Sequence, residues 1–274
     1  MAAAASEWDG DMAFVEAGAD SVEYEVDGQG RGLVLIHGTG ADAQSNWAHL
    51  VPQLASDWRV IRPNYSGSGR TRDSGGALTM AQVAGQVMAA ARAAGPGPYV
   101  FVGYSLGAAI AAYIAAEYPD EVRALVLLAG FASGDDTRFK LEFELWRTLI
   151  ATNRRAFSQH VLLTGFSPAF VSAMSPRQIE DTLQMMLSTN DWEGMARQIE
   201  LDRRLDVTEQ ARRIAKPVLV VGCTHDHMVP IYHARALFAM IPGARYAEME
   251  TGHLAPLEQP ETFVRLLREF LAPL

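Results

Sequence analysis

Short, continuously apolar runs alternate along this chain with segments of helical periodicity. The apolar runs consist mainly of valine, isoleucine and leucine, a composition typical of strands buried on both faces. They are LVLIH (33–37), RVIRP (59–63), YVFVGY (99–104), ALVLLA (124–129) and PVLVVG (217–222). Helical patterns lie between or after them, at 45–55, 79–94, 106–117, 232–241 and 260–271. This alternation predicts the α/β class, with a mainly parallel central sheet flanked by helices on both faces.

Two weaker strand patterns lie near the ends of the chain. SVEYEV (21–26) alternates apolar and polar residues like an exposed edge strand, and ARYAEM (244–249) is a weakly apolar run. Residues 1–12 are rich in alanine and carry acidic residues, without the basic region of a signal peptide, so we expect a loose tail there. Apolar runs long enough to cross a membrane, about 18 residues or more, are absent from the sequence, which predicts no membrane partner.

One long segment interrupts the alternation of strands and helices. From residue 131 to residue 205 only helical patterns occur, and Ser175 followed by Pro176 is a typical helix start within it. The segment lies between two predicted sheet strands. We therefore expect a helical lid (131–205) inserted into an α/β core made of 1–130 and 206–274. In open parallel sheets ligands bind at the carboxyl edge of the strands, which such a lid would cover.

Charge and cysteine content limit the function classes. The net charge of −9 argues against a nucleic-acid partner, because binding to phosphates requires a basic surface. Cys223 is the single cysteine, so the chain can form no internal disulfide, and a reducing, cytoplasmic location is expected. Cys223 follows an apolar run, where a small buried residue at a strand end is a better interpretation than a nucleophile. The oligomeric state is left open.

The run GYSLG places Ser105 where a predicted strand (99–104) meets a predicted helix (106–117). A serine on such a sharp turn is the nucleophile elbow of serine hydrolases, and the helix N-terminus favours negative charge beside it. The alternative is a serine that merely caps the helix, with structural glycines around it. Because a strand precedes the serine and a strong helix follows it, we predict that Ser105 is a catalytic nucleophile.

A serine nucleophile requires a base and an acid that orients the base. His253, in TGHLAPLE after the last strand, is the candidate base, and Asp226, in CTHDHMV directly after the strand at 217–222, is the candidate acid. The chain order is then serine, aspartate, histidine. If Asp226 were not the acid, Asp135 or Asp136 could replace it.

The pair His225 and His227 flanks Asp226 and could chelate a metal. A metal site would need a third ligand that converges on them, such as His233 or an acid from another loop. The sequence shows no such cluster, so we predict no metal.

The run HGTG (37–40) directly follows a buried strand and can supply the oxyanion hole. The amide of Thr39 would act there together with the amide of Leu106, while His37 would support the loop. For the substrate pocket we expect aromatic and methionine side chains, from the elbow and from the lid. The candidates are Tyr104, Trp146, Met185 and Trp192.

Four ordered motifs, HGTG, GYSLG, the aspartate after a strand and GHLAPLE, resemble the α/β-hydrolase fold superfamily over residues 20 to 274. The resemblance implies an esterase, thioesterase or lactonase that acts on a small acyl substrate through Ser105, His253 and Asp226, without a cofactor. Ser105 stands where haloalkane dehalogenases carry aspartate, and the loop lacks the His-Gly-x-Pro of many cofactor-free haloperoxidases. Ser-Leu-Gly-Ala also departs from the Ser-x-Gly-Gly of carbon–carbon hydrolases and enol-lactonases. A carbon–carbon hydrolase, lyase or cyclase on this scaffold, or a non-catalytic ligand receptor, is the alternative.

Overall fold

The computed structural model describes residues 12–274. The expected tail falls almost wholly outside these residues, and Met12, its last residue, begins a strand instead. The described residues contain eight strands. They are β1 (Met12–Ala17), β2 (Asp20–Asp27), β3 (Gly32–Ile36), β4 (Arg59–Pro63), β5 (Tyr99–Tyr104), β6 (Val122–Leu128), β7 (Val218–Cys223) and β8 (Arg245–Met249).

The eight strands form one sheet in the order β1-β2-β4-β3-β5-β6-β7-β8. Strands β4, β3, β5, β6, β7 and β8 are parallel to one another, while β2 pairs in the antiparallel sense with both β1 and β4. The predicted mainly parallel sheet is therefore confirmed. The prediction that 21–26 forms an edge strand is wrong, because β1 pairs with β2 along its whole length and occupies the edge.

Thirteen α-helices accompany the sheet in the described part of the chain. Eight belong to the predicted core: α1 (Ala43–Trp47), α2 (Val51–Leu54), α3 (Met80–Ala94), α4 (Leu106–Glu117), α10 (Thr208–Arg213), α11 (Tyr232–Met240), α12 (Ala255–Glu258) and α13 (Pro260–Leu271). The single helix predicted at 45–55 is instead two short helices joined by a 3-10 turn (Ala48–Leu50), with a proline in the first turn of the second.

The strands at the centre of the sheet are buried on both faces, as their continuous apolar composition predicts. In β3, Val34 and Ile36 belong to the core beneath α3 and α4, whereas Leu33 and Leu35 belong to the core beneath α1, α2 and α13. Successive side chains of a strand point to opposite faces. A run without polar residues therefore needs helices on both sides of the sheet.

The remaining five helices lie between β6 and β7, within the segment predicted to be helical. They are α5 (Thr137–Thr152), α6 (Arg154–Gly165), α7 (Pro168–Ala173), α8 (Pro176–Thr189) and α9 (Trp192–Asp202). We call residues 131–205 the helical insertion. It contacts loops at the carboxyl edge of the sheet, where the amide of His227 donates to the carbonyl of Thr164 and that of Leu254 donates to the carbonyl of Gly165. Among residues 12–274, no helix is long and apolar enough to cross a membrane.

Candidate active site

Ser105 lies on the turn between β5 and α4, in a backbone conformation that residues other than glycine rarely adopt. Its φ is 56° and its ψ is −120°. The glycines on either side are required by close contacts. A Cβ at Gly103 would clash with the carbonyl of Gly107, and a Cβ at Gly107 would clash with the carbonyl of Ile36. Strain of this kind persists only where the surrounding structure holds it.

Ser105, His253 and Asp226, which lie far apart in the sequence, come together in one hydrogen-bonded row. The Nε2 of His253 lies 3.0 Å from the Oγ of Ser105, and its Nδ1 lies 2.6 Å from the Oδ2 of Asp226. All three residues are buried. With the proton on Nδ1 donated to Asp226, Nε2 is free to accept the proton of the serine hydroxyl.

The loop after β7 holds the second oxygen of Asp226. Its Oδ1 accepts hydrogen bonds from the amides of Met228, at 2.9 Å, and Val229, at 2.8 Å. Both carboxylate oxygens are therefore engaged, which fixes the orientation of the acid. The alternative acids lie elsewhere: Asp136 caps the start of α5, and Asp135 pairs with a lysine on that helix.

Glu258 fixes the loop that carries His253. Its Oε2 accepts hydrogen bonds at 3.0 Å from the amides of Gly252 and of Ser167, which belongs to the helical insertion. The hydroxyl of Ser167 also bonds to this carboxylate. One half-buried carboxylate thus joins the histidine loop to the insertion.

The loop Gly38–Gly40, directly after β3, is held from both sides through its first and last amides. The amide of Gly38 donates to the Oδ1 of Asn46 on α1 at 2.9 Å, and the amide of Gly40 donates to the Oε1 of Gln198 on α9 at 2.8 Å. Gln198 is fully buried, and its own amide group donates to the carbonyl of Ser66 at 3.1 Å. The core and the helical insertion therefore both determine the position of this loop.

The amides of Thr39 and Leu106 make no hydrogen bond to any described residue. Thr39 and Ser105 line the same cavity, and Leu106 is the first residue of α4, directly after the serine. Unpaired amides near a nucleophile can stabilise an oxyanion. The arrangement is therefore compatible with the oxyanion hole predicted from the sequence.

The side chain of Thr39 is held by Asp202 at the end of α9. The threonine Oγ1 lies 2.6 Å from the Oδ2 of Asp202, while the Oδ1 of Asp202 has no partner among the described residues. Asp202 is almost completely buried, and burial raises the pKa of its carboxyl group to about 8. The sequence interpretation missed both Gln198 and Asp202. The signal was present, since two polar residues spaced i, i+4 share a helix face with the buried Met195 and Ile199.

His37 is buried and lies against the ring of Tyr65, with ring centroids 4.1 Å apart. Its nitrogens lie 2.9 Å from the carbonyl of Gly38 and 2.9 Å from the hydroxyl of Ser68. Burial lowers the pKa of His37 to about 4, so the ring is neutral at neutral pH. These contacts are those of a residue that supports the loop.

A cavity of about 650 Å³ opens above Ser105, between the sheet edge and the helical insertion. Three of the four predicted pocket residues line it: Tyr104, Trp146 and Met185. Trp192 does not line it, which corrects the prediction. Its ring packs edge-on against Phe157, at 5.8 Å, and beneath the guanidinium of Arg154, at 5.0 Å. Trp192 stands in the first turn of α9 and faces α6 instead of the cavity.

The remaining candidates make no hydrogen bond with Ser105. Cys223 ends β7 and is buried, and burial raises the pKa of its thiol, as expected for a packing residue. Across residues 12–274, no group of three histidine, cysteine, aspartate or glutamate side chains is arranged to hold a metal ion, and this includes the surroundings of His225 and His227.

Comparison with known proteins gives a family match over most of the chain. The family model of the alpha/beta hydrolase fold matches residues 32–260. A pyrrolizixenacetamide deacetylase of Xenorhabdus hominickii is 52% identical over 260 residues, covering 95% of this chain and 98% of that protein. A proposed carbamate hydrolase, RutD, of Azorhizobium caulinodans is 26% identical over 260 residues, covering 94% of this chain and 98% of that protein.

Solved structures agree with the family match. The enol-lactonase from Burkholderia xenovorans LB400 superposes with a TM-score of 0.83 at 25% identity, covering 95% of this chain and all of that one. A thermophilic esterase from Thermogutta terrifontis superposes with a TM-score of 0.81 at 24% identity, covering 96% of this chain and 98% of that one. At this identity the likeness supports the fold alone. On the sheet topology and these matches, the chain belongs to the alpha/beta-hydrolase family and is a hydrolase.

Proposed function

We propose that this protein is a serine hydrolase that removes a small acyl group from a substrate through an acyl-enzyme. The observation that carries the proposal is the row from Ser105 through His253 to Asp226, with separations of 3.0 Å and 2.6 Å. Ser105 and His253 lie on the wall of the cavity. Burial of all three groups strengthens their interactions, because little water competes for them.

In the first half of the reaction, the Oγ of Ser105 attacks the acyl carbon while His253 accepts its proton. The carbonyl oxygen becomes an oxyanion, which the amides of Thr39 and Leu106 stabilise. Asp226 stabilises the imidazolium that forms. His253 then gives its proton to the leaving amine or alcohol as the bond to the acyl carbon breaks.

In the second half, a water molecule replaces the leaving group. His253 takes a proton from the water, the resulting hydroxide attacks the acyl carbon of the ester on Ser105, and a second tetrahedral intermediate forms. When this intermediate collapses, the proton returns to the Oγ of Ser105 and the carboxylic acid is released. The atoms balance with water as the only co-reactant.

We infer that amides belong to the substrate class alongside the esters, thioesters and lactones that the sequence resemblance implies. The Xenorhabdus relative is named as a deacetylase of an acetamide, and its 52% identity extends over almost the whole of both chains. The RutD relative is named as a carbamate hydrolase, and a carbamate also contains a carbonyl–nitrogen bond. An amine leaves only when it is protonated, and His253, within reach of Ser105, can supply that proton.

The helical insertion would act as the lid of this site. It contributes Trp146 and Met185 to the cavity wall, and its residues Gln198 and Asp202 hold the loop that carries Thr39. In this proposal the core supplies the reacting groups and the insertion supplies most of the surface that selects the substrate.

The test compares an acetamide and an acetate of the same aromatic group, N-acetyl-4-nitroaniline and 4-nitrophenyl acetate. We expect wild-type protein to hydrolyse both, and Ser105→Ala to hydrolyse neither above the rate without enzyme. Hydrolysis of the ester alone would restrict the proposal to esters. Equal activity in Ser105→Ala would refute the mechanism.

A further inference from the structure

Glu142 places a carboxylate in the most aromatic part of the cavity wall. It stands on α5, and its side chain is only 11% exposed. The neighbouring cavity residues Phe143, Trp146 and Phe157 form an edge-to-face series, with ring centroids 5.6 and 5.5 Å apart. A charged group is costly among apolar rings unless polar partners compensate it. A carboxylate at this position therefore calls for an explanation.

Only one oxygen of this carboxylate has partners. The Oε1 of Glu142 accepts a hydrogen bond from the Nε1 of Trp146 at 3.0 Å and lies 2.7 Å from the Nε2 of His160 on α6. Its Oε2 makes no hydrogen bond to the described residues. Two donors on one oxygen fix the orientation of the group, and the other oxygen keeps its capacity to accept hydrogen bonds.

The other acidic side chains of the cavity wall already have protein partners. Asp42 caps α1, Asp191 caps α9, and Asp202 bonds to Thr39. Among the described residues that line the cavity there is no lysine or arginine. The charges therefore disfavour a substrate with a carboxylate and favour one with a cation or an N–H donor.

We propose that Glu142 is a specificity-determining residue, which binds a protonated amine or an N–H group of the substrate through its free oxygen. The inference rests on the proposed function, because it assumes that substrate occupies the cavity beside Ser105. The rings of Trp146 and Phe157 would add a favourable surface for a cation. The substrates selected would be acylated compounds that also carry a basic nitrogen or a second N–H.

The alternative role for Glu142 is purely structural, since its contact with His160 ties α5 to α6. That contact uses only the Oε1 of Glu142 and cannot distinguish one substrate from another. A structural role therefore predicts that replacement of Glu142 changes the rates for charged and neutral substrates in parallel. A recognition role predicts a change in their ratio.

The test uses three aryl acetates that differ in one substituent: 4-(dimethylaminomethyl)phenyl acetate, its neutral isostere 4-isobutylphenyl acetate, and 4-(carboxymethyl)phenyl acetate. Each kcat/KM is divided by the rate of hydroxide hydrolysis of the same ester, which removes differences in intrinsic reactivity. We expect wild type to prefer the cationic ester over the neutral one and to use the anionic ester least.

In Glu142→Gln the side chain keeps an oxygen for Trp146 and His160 but turns an amide donor toward the substrate. We expect the ratio of kcat/KM for the cationic ester to that for the neutral ester to fall about tenfold or more, the size of a lost hydrogen bond between charged groups. Glu144→Gln is the matched control. It removes the same charge from the same helix, but Glu144 is exposed and pairs with Arg147, so the ratio should stay at its wild-type value.

An unchanged ratio in Glu142→Gln, or a wild-type preference for the neutral or the anionic ester, would overturn this inference. The wild-type measurement keeps the inference falsifiable even if the variant does not fold. In either case, hydrolysis that depends on Ser105 would leave the proposed function intact. If none of the three esters is hydrolysed in a Ser105-dependent manner, the proposed function fails first.

Discussion

The sheet edge and the helical insertion differ in how tightly they are packed. Every residue of β5 and β7 is buried, and α4 is buried along most of its length. In the insertion, α7 has no buried residue and α8 has only Leu183. Half of the exposed large hydrophobic side chains of the described residues lie on the insertion: Leu141, Leu145, Leu163 and Met185.

This difference fits the proposal that the core carries the reacting groups and the insertion selects the substrate. Reacting groups must be held to within a fraction of an ångström, which a packed sheet edge can do. Surfaces that select a substrate can vary, and loosely packed helices tolerate that variation. The two regions meet at the loop Gly38–Gly40, which Asn46 holds from the core and Gln198 holds from the insertion.

The largest effect is expected in the core, from removal of Ser105, the proposed nucleophile. Ser105→Ala should lower kcat/KM for an acetate ester by about 10⁶-fold, in line with the loss seen when a triad serine is removed. A fluorophosphonate probe should label the wild type once and should not label the variant. Labelling that survives the substitution would remove Ser105 from the mechanism.

The acid should rank next. Asp226→Asn should keep the fold but lower kcat by about 10⁴-fold, because the amide favours the wrong histidine tautomer and cannot stabilise the imidazolium. His225→Ala and His227→Ala are the controls, since they flank Asp226 without contacting His253, and each should retain most activity. Steady-state kinetics with and without a chelator provides the measurement. Near-normal turnover of Asp226→Asn would contradict the triad, whereas loss of activity on chelation would indicate a metal site.

At the junction of the two regions, Gln198→Leu tests whether the insertion positions the oxyanion loop. The substitution leaves the amide of Gly40 and the carbonyl of Ser66 without partners, so the adjacent amide of Thr39 should shift. We expect kcat to fall by about tenfold to a hundredfold with little change in KM, because the oxyanion forms only in the transition state. Glu193→Ala, on an exposed position of the same helix, should leave both constants unchanged. A change in KM alone would contradict the positioning role.

Within the insertion, replacement of Met185 tests whether the cavity wall determines substrate preference without affecting the reactivity of Ser105. The side chain of Met185 lines the cavity and is half exposed, so Met185→Ala should enlarge the acyl or leaving-group space without disturbing the core. The preference among acyl chain lengths should shift by about threefold to tenfold. Leu163→Ala, which removes an exposed side chain outside the cavity, is the control. If Met185→Ala greatly lowered the rate of fluorophosphonate labelling and left the preference among acyl chain lengths unchanged, the separate roles of core and insertion would be contradicted.

A separate effect, on stability instead of activity, is expected at Asp202. Burial raises the pKa of its carboxyl group to about 8 in the folded protein, well above the usual aspartate value. The contribution of Asp202 to the free energy of unfolding is therefore most favourable at low pH, below the pKa of this carboxyl group in the unfolded chain. It becomes progressively less favourable as the pH rises to about 8, because the unfolded chain then ionises at this group and the folded protein does not. Asp202→Asn cannot ionise. The free energy of unfolding of the wild type minus that of Asp202→Asn should fall between pH 5 and pH 8 in urea titrations, and a constant difference would contradict a buried neutral carboxyl.

The fold and the hydrogen-bonded row of Ser105, His253 and Asp226 could be predicted because they depend on local signals. Continuous apolar runs require a sheet covered on both faces, and the glycines around Ser105 are required by backbone contacts that leave no room for a Cβ. Strand β1 was missed because its alternation is short and follows an alanine-rich stretch. Its strand character depends on pairing with β2, which is a tertiary contact.

The pocket was harder to predict because no local rule says which side of an inserted helix faces the cavity. Trp146 and Trp192 carry the same side chain and both pack against Phe157, yet Trp146 lines the cavity and Trp192 does not. The partners of Glu142 lie 4 and 18 residues away along the chain, on two helices. Their convergence depends on how α5 and α6 pack.

The central claim is that Ser105 carries the acyl group during turnover, and intact-protein mass spectrometry tests it most directly. Wild-type protein is mixed with 4-nitrophenyl acetate and quenched in acid within the first turnovers, and the modified peptide is then sequenced. The account predicts one acetyl group per chain, located on Ser105, which disappears as the substrate is exhausted and does not form in Ser105→Ala. Turnover without any acetylated protein, or an acetyl group on another residue that forms and decays at the rate of turnover, would contradict it.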